Sequence, residues 1–258
     1  MQHSLPIFVI ISYLAAGYAF HRTATRNTHI SIPLILLFIS SQSHISLLFR
    51  AISTGAQAVN MSVFNVVSLT GWAVACVSFF WLWRREMALS GAMICFINAL
   101  LVISEVLFPS QKTMSYSAGM LSHIAMAISS WTVLSVAIIH GGLYLFLFQR
   151  LKRKKIINQA TISLSQLERL TANYLLLGTI LLVISIILGC VFVGENNSQL
   201  LWIKMPFTII AAAFYIYAFY SYMMGKKRGI ALIYFSFYAY LLLMVGYVFS
   251  NILQQFFK

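Results

Sequence analysis

The stretch from Tyr174 to Val193 carries no charged residue and no regular alternation of apolar with polar side chains. An apolar run of roughly 18 residues or more is long enough to cross a bilayer. Within hydrocarbon every backbone N–H and C=O needs an internal partner, so a span is either a helix or a strand of a closed barrel. Barrel strands alternate apolar and polar residues over ~10 positions. This run does not alternate, so it reads as a helix. Comparable runs recur along the chain, at about 5–20, 32–49, 62–82, 88–108, 119–149, 170–193, 200–224 and 230–254. The sequence therefore predicts an all-α, polytopic membrane bundle of about eight helices, forming one domain over residues 1–258.

Charge supports the same reading. Only 8% of the residues are charged and 61% are hydrophobic, too few charges to coat a soluble globule. The formal net charge of +13 would suggest nucleic acid on a soluble protein. Here the basic residues sit in short loops between apolar runs, so a lipid bilayer is the expected partner and nucleic acid is not. One set of alternate loops holds Arg22 and Arg26, Arg84 and Arg85, Arg150 to Lys155 with Arg169, and Lys226 to Arg228. The opposite set holds only Arg50, Lys112 and Lys258. Positive charge stays on the cytoplasmic side. The expected location is thus a bacterial cytoplasmic (inner) membrane, with both termini on the outer face. The first apolar run lacks a preceding Lys or Arg and is followed by Arg22, the reverse of a secretory signal. It reads as a retained helix.

Local motifs say less. Cys76, Cys95 and Cys190 all lie inside apolar runs, without a CxxC spacing, and read as small buried hydrophobes. Pro33 and Pro206 fall in the expected first turns of spans, where proline is tolerated. Ser165-Gln166-Leu167-Glu168 resembles a capping box ahead of the sixth span. No Ser-His-Asp set, P-loop or HExxH is present, so no enzyme chemistry is read from the chain.

Ionisable groups inside spans are costly and mark candidate sites. They are His44, Glu105, His123, His140 and Lys204. From the helical rise, His44 lies ~9 Å and His123 ~6 Å below the outer ends of their spans. Glu105 and Lys204 are expected at the same level, and His140 deeper. The run Ser40-Ser41-Gln42-Ser43-His44 is too polar to face lipid. Its ordinary role is interhelical hydrogen bonding. Two facing imidazoles also suit axial ligation of haem iron, with aromatic side chains lining the pocket and cations on the propionates. On this reading His44 and His123 ligate a non-covalent haem b. Trp202, Trp131, Phe207 and Tyr116 supply the pocket, and Lys204 or Arg50 the propionate partner. A zinc site built from His44, His123 and Glu105 ranks below it, since such sites want three or four ligands.

Several pieces of the chain, in order, resemble the cytochrome c assembly family of haem-handling membrane proteins (CcmC/CcsA-type), in particular its HemX-like and YpjD-like branch. They are His44-Ile45-Ser46-Leu47-Leu48, Phe64-Asn65-Val66-Val67-Ser68-Leu69 with Trp72, Leu107-Phe108-Pro109-Ser110, Leu121-Ser122-His123-Ile124-Ala125, the basic loop, Leu167-Glu168-Arg169-Leu170, and Leu188-Gly189-Cys190-Val191-Phe192-Val193. The resemblance runs from about His44 to the C-terminus. It implies a polytopic fold, haem as a partner, and other cytochrome c assembly or haem-synthesis proteins as further partners. His123 sits where the family places a haem-ligand histidine. The family's tryptophan-rich WxWD segment is missing. The corresponding stretch, Gly194 to Lys204, has the single Trp202 and no WD, and Lys204 falls where the signature's terminal lysine would fall. The branch without that motif implies an accessory or regulatory role in cytochrome c or haem biogenesis. A second reading is a small secondary transporter or ion pathway, with the same polar residues lining its route.

Overall fold

The computed structural model describes residues 4–26, 28–53, 59–109, 115–153, 162–192, 198–226 and 228–256, without the side chains of 85, 198–204 and 248–256. Trp202 and Lys204 therefore lie on described backbone, but their side chains are outside the described set, as are Lys112 and the end of the basic run beyond Arg153.

Among the described residues the secondary structure is helical, apart from an isolated bridge between Ser53 and Val59. The eight α-helices are α1 (Ser4–Arg26), α2 (Ser31–Ile52), α3 (Val63–Leu82), α4 (Ala88–Leu107), α5 (Ala118–Lys152), α6 (Leu164–Phe192), α7 (Ser198–Met223) and α8 (Ile230–Phe256), with a 3-10 turn at Arg85–Met87. All eight contain a stretch long and apolar enough to cross a membrane.

Burial inverts the pattern of a water-soluble protein. Large apolar side chains such as Ile11, Phe38, Leu100, Ile180 and Leu241 are exposed. Ser40, Ser68, Asn98, Ser130 and Ser185 are buried. In lipid there is no gain from hiding leucine, so small and polar residues take the helix–helix contacts.

The helices form two compact units. The first comprises residues 1–115 and 146–164, the second residues 116–145 and 165–258. In the first, α1 packs on both α2 and α4, and α3 packs on both α2 and α4. Each helix thus touches two others, and the four close into a bundle. Ser62 caps α3 by accepting the Asn65 N–H. In the second unit, α7 packs on α8, and Tyr215, Ala211, Leu232, Ala239, Leu134 and Leu175 share one core.

Two local expectations change. α7 begins at Ser198, so Pro206 lies inside the helix rather than in its first turn. Likewise α6 begins at Leu164, which puts Ser165 within the helix instead of at its cap. Glu168 instead reaches the start of α8, where its carboxylate accepts the Gly229 N–H at 2.9 Å. A carboxylate at a helix N-terminus is favoured by the unpaired N–H groups there.

The α7–α8 turn depends on two glycines. Gly225 has φ +68°, and the Lys226 N–H bonds to the Ser221 carbonyl while the Gly225 N–H bonds to Tyr222. This is the Schellman arrangement that ends many helices. Gly229 has φ +60°, and a Cβ there would meet the Tyr144 hydroxyl at 2.8 Å. Gly229→Ala is expected to lower stability by about 2 kcal/mol, from left-handed strain and this contact together. Thermal unfolding in detergent measures it, with Gly225→Asn, a residue that tolerates the left-handed region, as the milder comparison.

Candidate functional site

Two polar clusters contain the expected site residues, one in each unit. In the first unit, α1 to α4 each contribute one side chain to a continuous hydrogen-bonded chain. Tyr13 Oη lies 3.0 Å from His44 Nδ1. His44 Nε2 lies 2.9 Å from Ser68 Oγ. Ser68 donates its hydroxyl to Glu105 Oε2 at 2.5 Å. Tyr13, His44 and Ser68 are each 0% exposed and Glu105 is 7% exposed.

The donors are fixed by the end of the chain. With Glu105 ionised, Ser68 spends its only proton on the carboxylate, so its oxygen accepts from His44 Nε2–H. Neutral His44 then has its lone pair on Nδ1, which accepts from the Tyr13 hydroxyl. The four groups point one way, from Tyr13 to Glu105. Both ring nitrogens of His44 are engaged, and ligating iron through either would require one of these bonds to give way. The interhelical role that the sequence assigned to such a polar run is the one His44 fills here. Trp72 and Cys76 tie the same helices together, through Trp72 Nε1–H to the Ser41 carbonyl at 3.1 Å and Cys76 Sγ to Ser41 Oγ at 3.3 Å.

In the second unit, His123 is partly buried on α5, against α6. Its Nδ1 lies 2.8 Å from the Ser185 carbonyl oxygen. A carbonyl only accepts, so Nδ1 carries the proton and Nε2 carries the lone pair. A backbone carbonyl on the far nitrogen is how metal-ligating histidines are commonly oriented. Gly189 makes room for the ring, since a Cβ there would lie 2.9 Å from His123 Cε1. Trp131 meets Tyr247 edge-on, with centroids 4.7 Å apart, in the same unit. His140 is buried beside Tyr174.

His44 and Glu105 thus belong to one cluster and His123 to the other. Among the described residues no group of three His, Cys, Asp or Glu side chains is placed to hold a metal ion. Tyr13, Ser185 and Gly189 were not singled out as site residues from sequence. Ser68 and Gly189 do fall inside two of the recurrent pieces, Phe64–Leu69 and Leu188–Val193. Tyr13 had no signal beyond being a tyrosine in an apolar run.

A family model described as Cytochrome C assembly protein matches residues 33–258. The chain is 24% identical over 215 residues to inner membrane protein YpjD of Escherichia coli (strain K12), covering 82% of this chain and 81% of the relative. It is 26% identical over 157 residues to protein HemX of Bacillus subtilis (strain 168), covering 57% and 56%. No solved structure matches.

Proposed function

Because the chain belongs to the cytochrome c assembly protein family, over residues 33–258, we propose that it is a haem-binding accessory or regulatory protein of cytochrome c or haem biogenesis in a bacterial inner membrane. The observation that carries this reading is His123. Its Nδ1–H is held by the Ser185 carbonyl, which leaves Nε2 as the basic nitrogen, and Gly189 spares the ring a steric neighbour. That donor set fits an axial ligand to haem iron. Non-covalent haem b, when bound, would supply a redox-active iron. The chain's own part is to ligate it at His123, to hold it among aromatic side chains, and to balance its propionates with a cation. Lys204 and Trp202, at the start of α7, are the proposed propionate and pocket partners. We leave His44 out of the iron ligands, since its two nitrogens already serve Tyr13 and Ser68. The reading includes no covalent chemistry by the protein itself. Partners that make, carry or receive haem in the same membrane follow from it.

The deciding experiment is an absorption spectrum of the full chain purified in detergent, before and after addition of haemin. A Soret band that saturates at one haem per chain supports the reading. A protein that arrives without the band and takes up no haem overturns it, whatever its family.

The proposed orientation puts both termini on the outer side, with the loops of Arg84, Arg150 and Arg228 in the cytoplasm. Reporter fusions after Arg85, Lys155 and Arg228 are expected to be cytoplasmic, and a fusion after Lys112 external. Alkaline phosphatase activity at Lys155 would reverse the assignment.

A further inference from the structure

The side of α2 that points away from His44 carries polar groups where lipid is expected. Ile35, Ile39, Gln42, Ser46 and Arg50 follow one another at i, i+4, i+7, i+11 and i+15, which sets them along one face of the helix. All five are exposed, whereas His44 on the opposite side is 0% exposed. Gln42 is the twelfth of the 22 residues of α2, so the polar part of this face begins about halfway along the span. The Gln42 amide and the Arg50 guanidinium have no hydrogen-bond or ion-pair partner among the described residues. A charge or an amide facing hydrocarbon alone is costly, so the face calls for an occupant.

Arg50 is unusual in a second way. Arg22, Arg26 and Arg84 lie at the other end of the α1–α4 bundle, and among the described side chains of these helices Arg50 is the one cation at its own end. A groove of about 350 Å³ opens beside it, lined by Ile45, Ser46, Phe49 and Arg50.

The order of chemistry along the face decides what fits it. From the Arg50 end it runs cation, hydroxyl and amide, and then the exposed apolar side chains of Ile39, Phe38 and Ile35. A phospholipid has the same order: phosphate, ester carbonyls, acyl chain. Arg50 to Gln42 covers ~12 Å of helix rise, and Gln42 to Ile35 a further ~10 Å. Long polar side chains reach toward the interface, which brings the Gln42 amide toward the depth of the ester groups. The Ser46 hydroxyl spends its proton on the Gln42 carbonyl, at 2.9 Å, so the donors left for a ligand are the Gln42 amide and the Arg50 guanidinium. A headgroup of net negative charge suits this end better than a zwitterion, whose own ammonium competes with Arg50 for the phosphate. A second copy of the chain suits it worse, because a two-fold axis through this face would set two Arg50 cations side by side.

We propose that this face of α2, from Arg50 through Gln42 to Ile35, binds one anionic phospholipid, with the phosphate on Arg50, an ester carbonyl on the Gln42 amide and an acyl chain along Ile39, Phe38 and Ile35.

The test places a photoreactive ring beside Arg50. The full chain carrying Phe49→p-benzoylphenylalanine is held in nanodiscs of mixed phosphatidylglycerol and phosphatidylcholine and irradiated, and its lipid adducts are identified by mass spectrometry. Phosphatidylglycerol is expected to exceed its share of the bilayer by about fivefold, the effect of one well-placed cation. Leu100→p-benzoylphenylalanine, at an exposed apolar position of α4, is expected to report the bulk ratio. Arg50→Gln in the Phe49 variant is expected to return its ratio to the bulk value, and Arg50→Lys to keep part of the enrichment. Gln42→Leu is expected to lower the adduct yield and leave the ratio unchanged, since both lipids carry ester carbonyls. A bulk ratio at position 49, equal enrichment at position 100, or enrichment that survives Arg50→Gln overturns the proposal. So does an adduct to protein in place of lipid, which would mean that a second chain or another segment covers the face. Gln42, Phe49 and Arg50 are all exposed, so these substitutions remove no core contact. None of the readings depends on whether haem binds.

Discussion

His123→Ala is expected to strip the purified protein of its haem absorbance, lowering haem affinity by more than about tenfold. Loss of even an orienting partner of a ligand costs about 10–100-fold, and here the ligand itself is removed. Three comparisons give the result its meaning. Gly189→Ala leaves the imidazole in place but sets a Cβ within 2.9 Å of Cε1, so the ring must shift from the Ser185 carbonyl; reduced uptake and a displaced Soret band are expected. Lys204→Ala is expected to weaken uptake without altering the band, because a cation acts on a propionate and not on iron. His44→Ala is expected to leave the band unchanged. A change of spin state in His44→Ala would instead establish both histidines as ligands. Full haem binding by His123→Ala removes the basis of the proposed site.

The second large effect is on stability. His44→Ala leaves the Tyr13 hydroxyl buried without its acceptor and opens a space the size of an imidazole at the centre of four helices. An unmet buried hydroxyl costs about 1–3 kcal/mol, and the cavity adds to this, so a loss of about 3 kcal/mol is expected. Tyr13→Phe removes the donor, keeps the ring, and leaves only an imidazole lone pair unmet; about 1 kcal/mol is expected. The two substitutions share one hydrogen bond, so their effects should not add. The double variant is expected to be no more than slightly less stable than His44→Ala. Thermal unfolding in a single detergent, followed by intrinsic fluorescence, ranks the four proteins. Equal losses for the two single variants would mean that the packing of the tyrosine ring, and not its hydroxyl, ties α1 to α2.

The same two clusters show why the sequence could be read as far as it was. Apolar runs specify helices in lipid directly, because a backbone without water must bond to itself. The eight helices, and the choice of helix over barrel, follow from that constraint alone. Ionisable residues within those runs stand out for the same reason, and His44, Glu105 and His123 were all found as polar intruders. The sequence also carried the family, in short pieces whose order mattered more than any one of them.

Partners were a different matter. Depth along a helix can be counted from its ends, but the direction of a side chain around the helix axis cannot be paired with another helix until the helices are packed. Counting along the helices predicted similar depths for His44 and His123, and each has its own partners in a different compact unit. Tyr13 precedes the family match and looks like any aromatic in a span, and Ser68 looks like helix packing. Only the closure of α1 to α4 into a bundle placed both beside His44. Glu168 repeats the lesson at a loop: its spacing suited its own helix start, while packing gave it the start of α8. Composition and periodicity determined which segments cross the membrane and which residues are costly there. Tertiary packing decided which of those residues meet, because hydrogen bonds act over about 3 Å and that distance is set between helices, not along them.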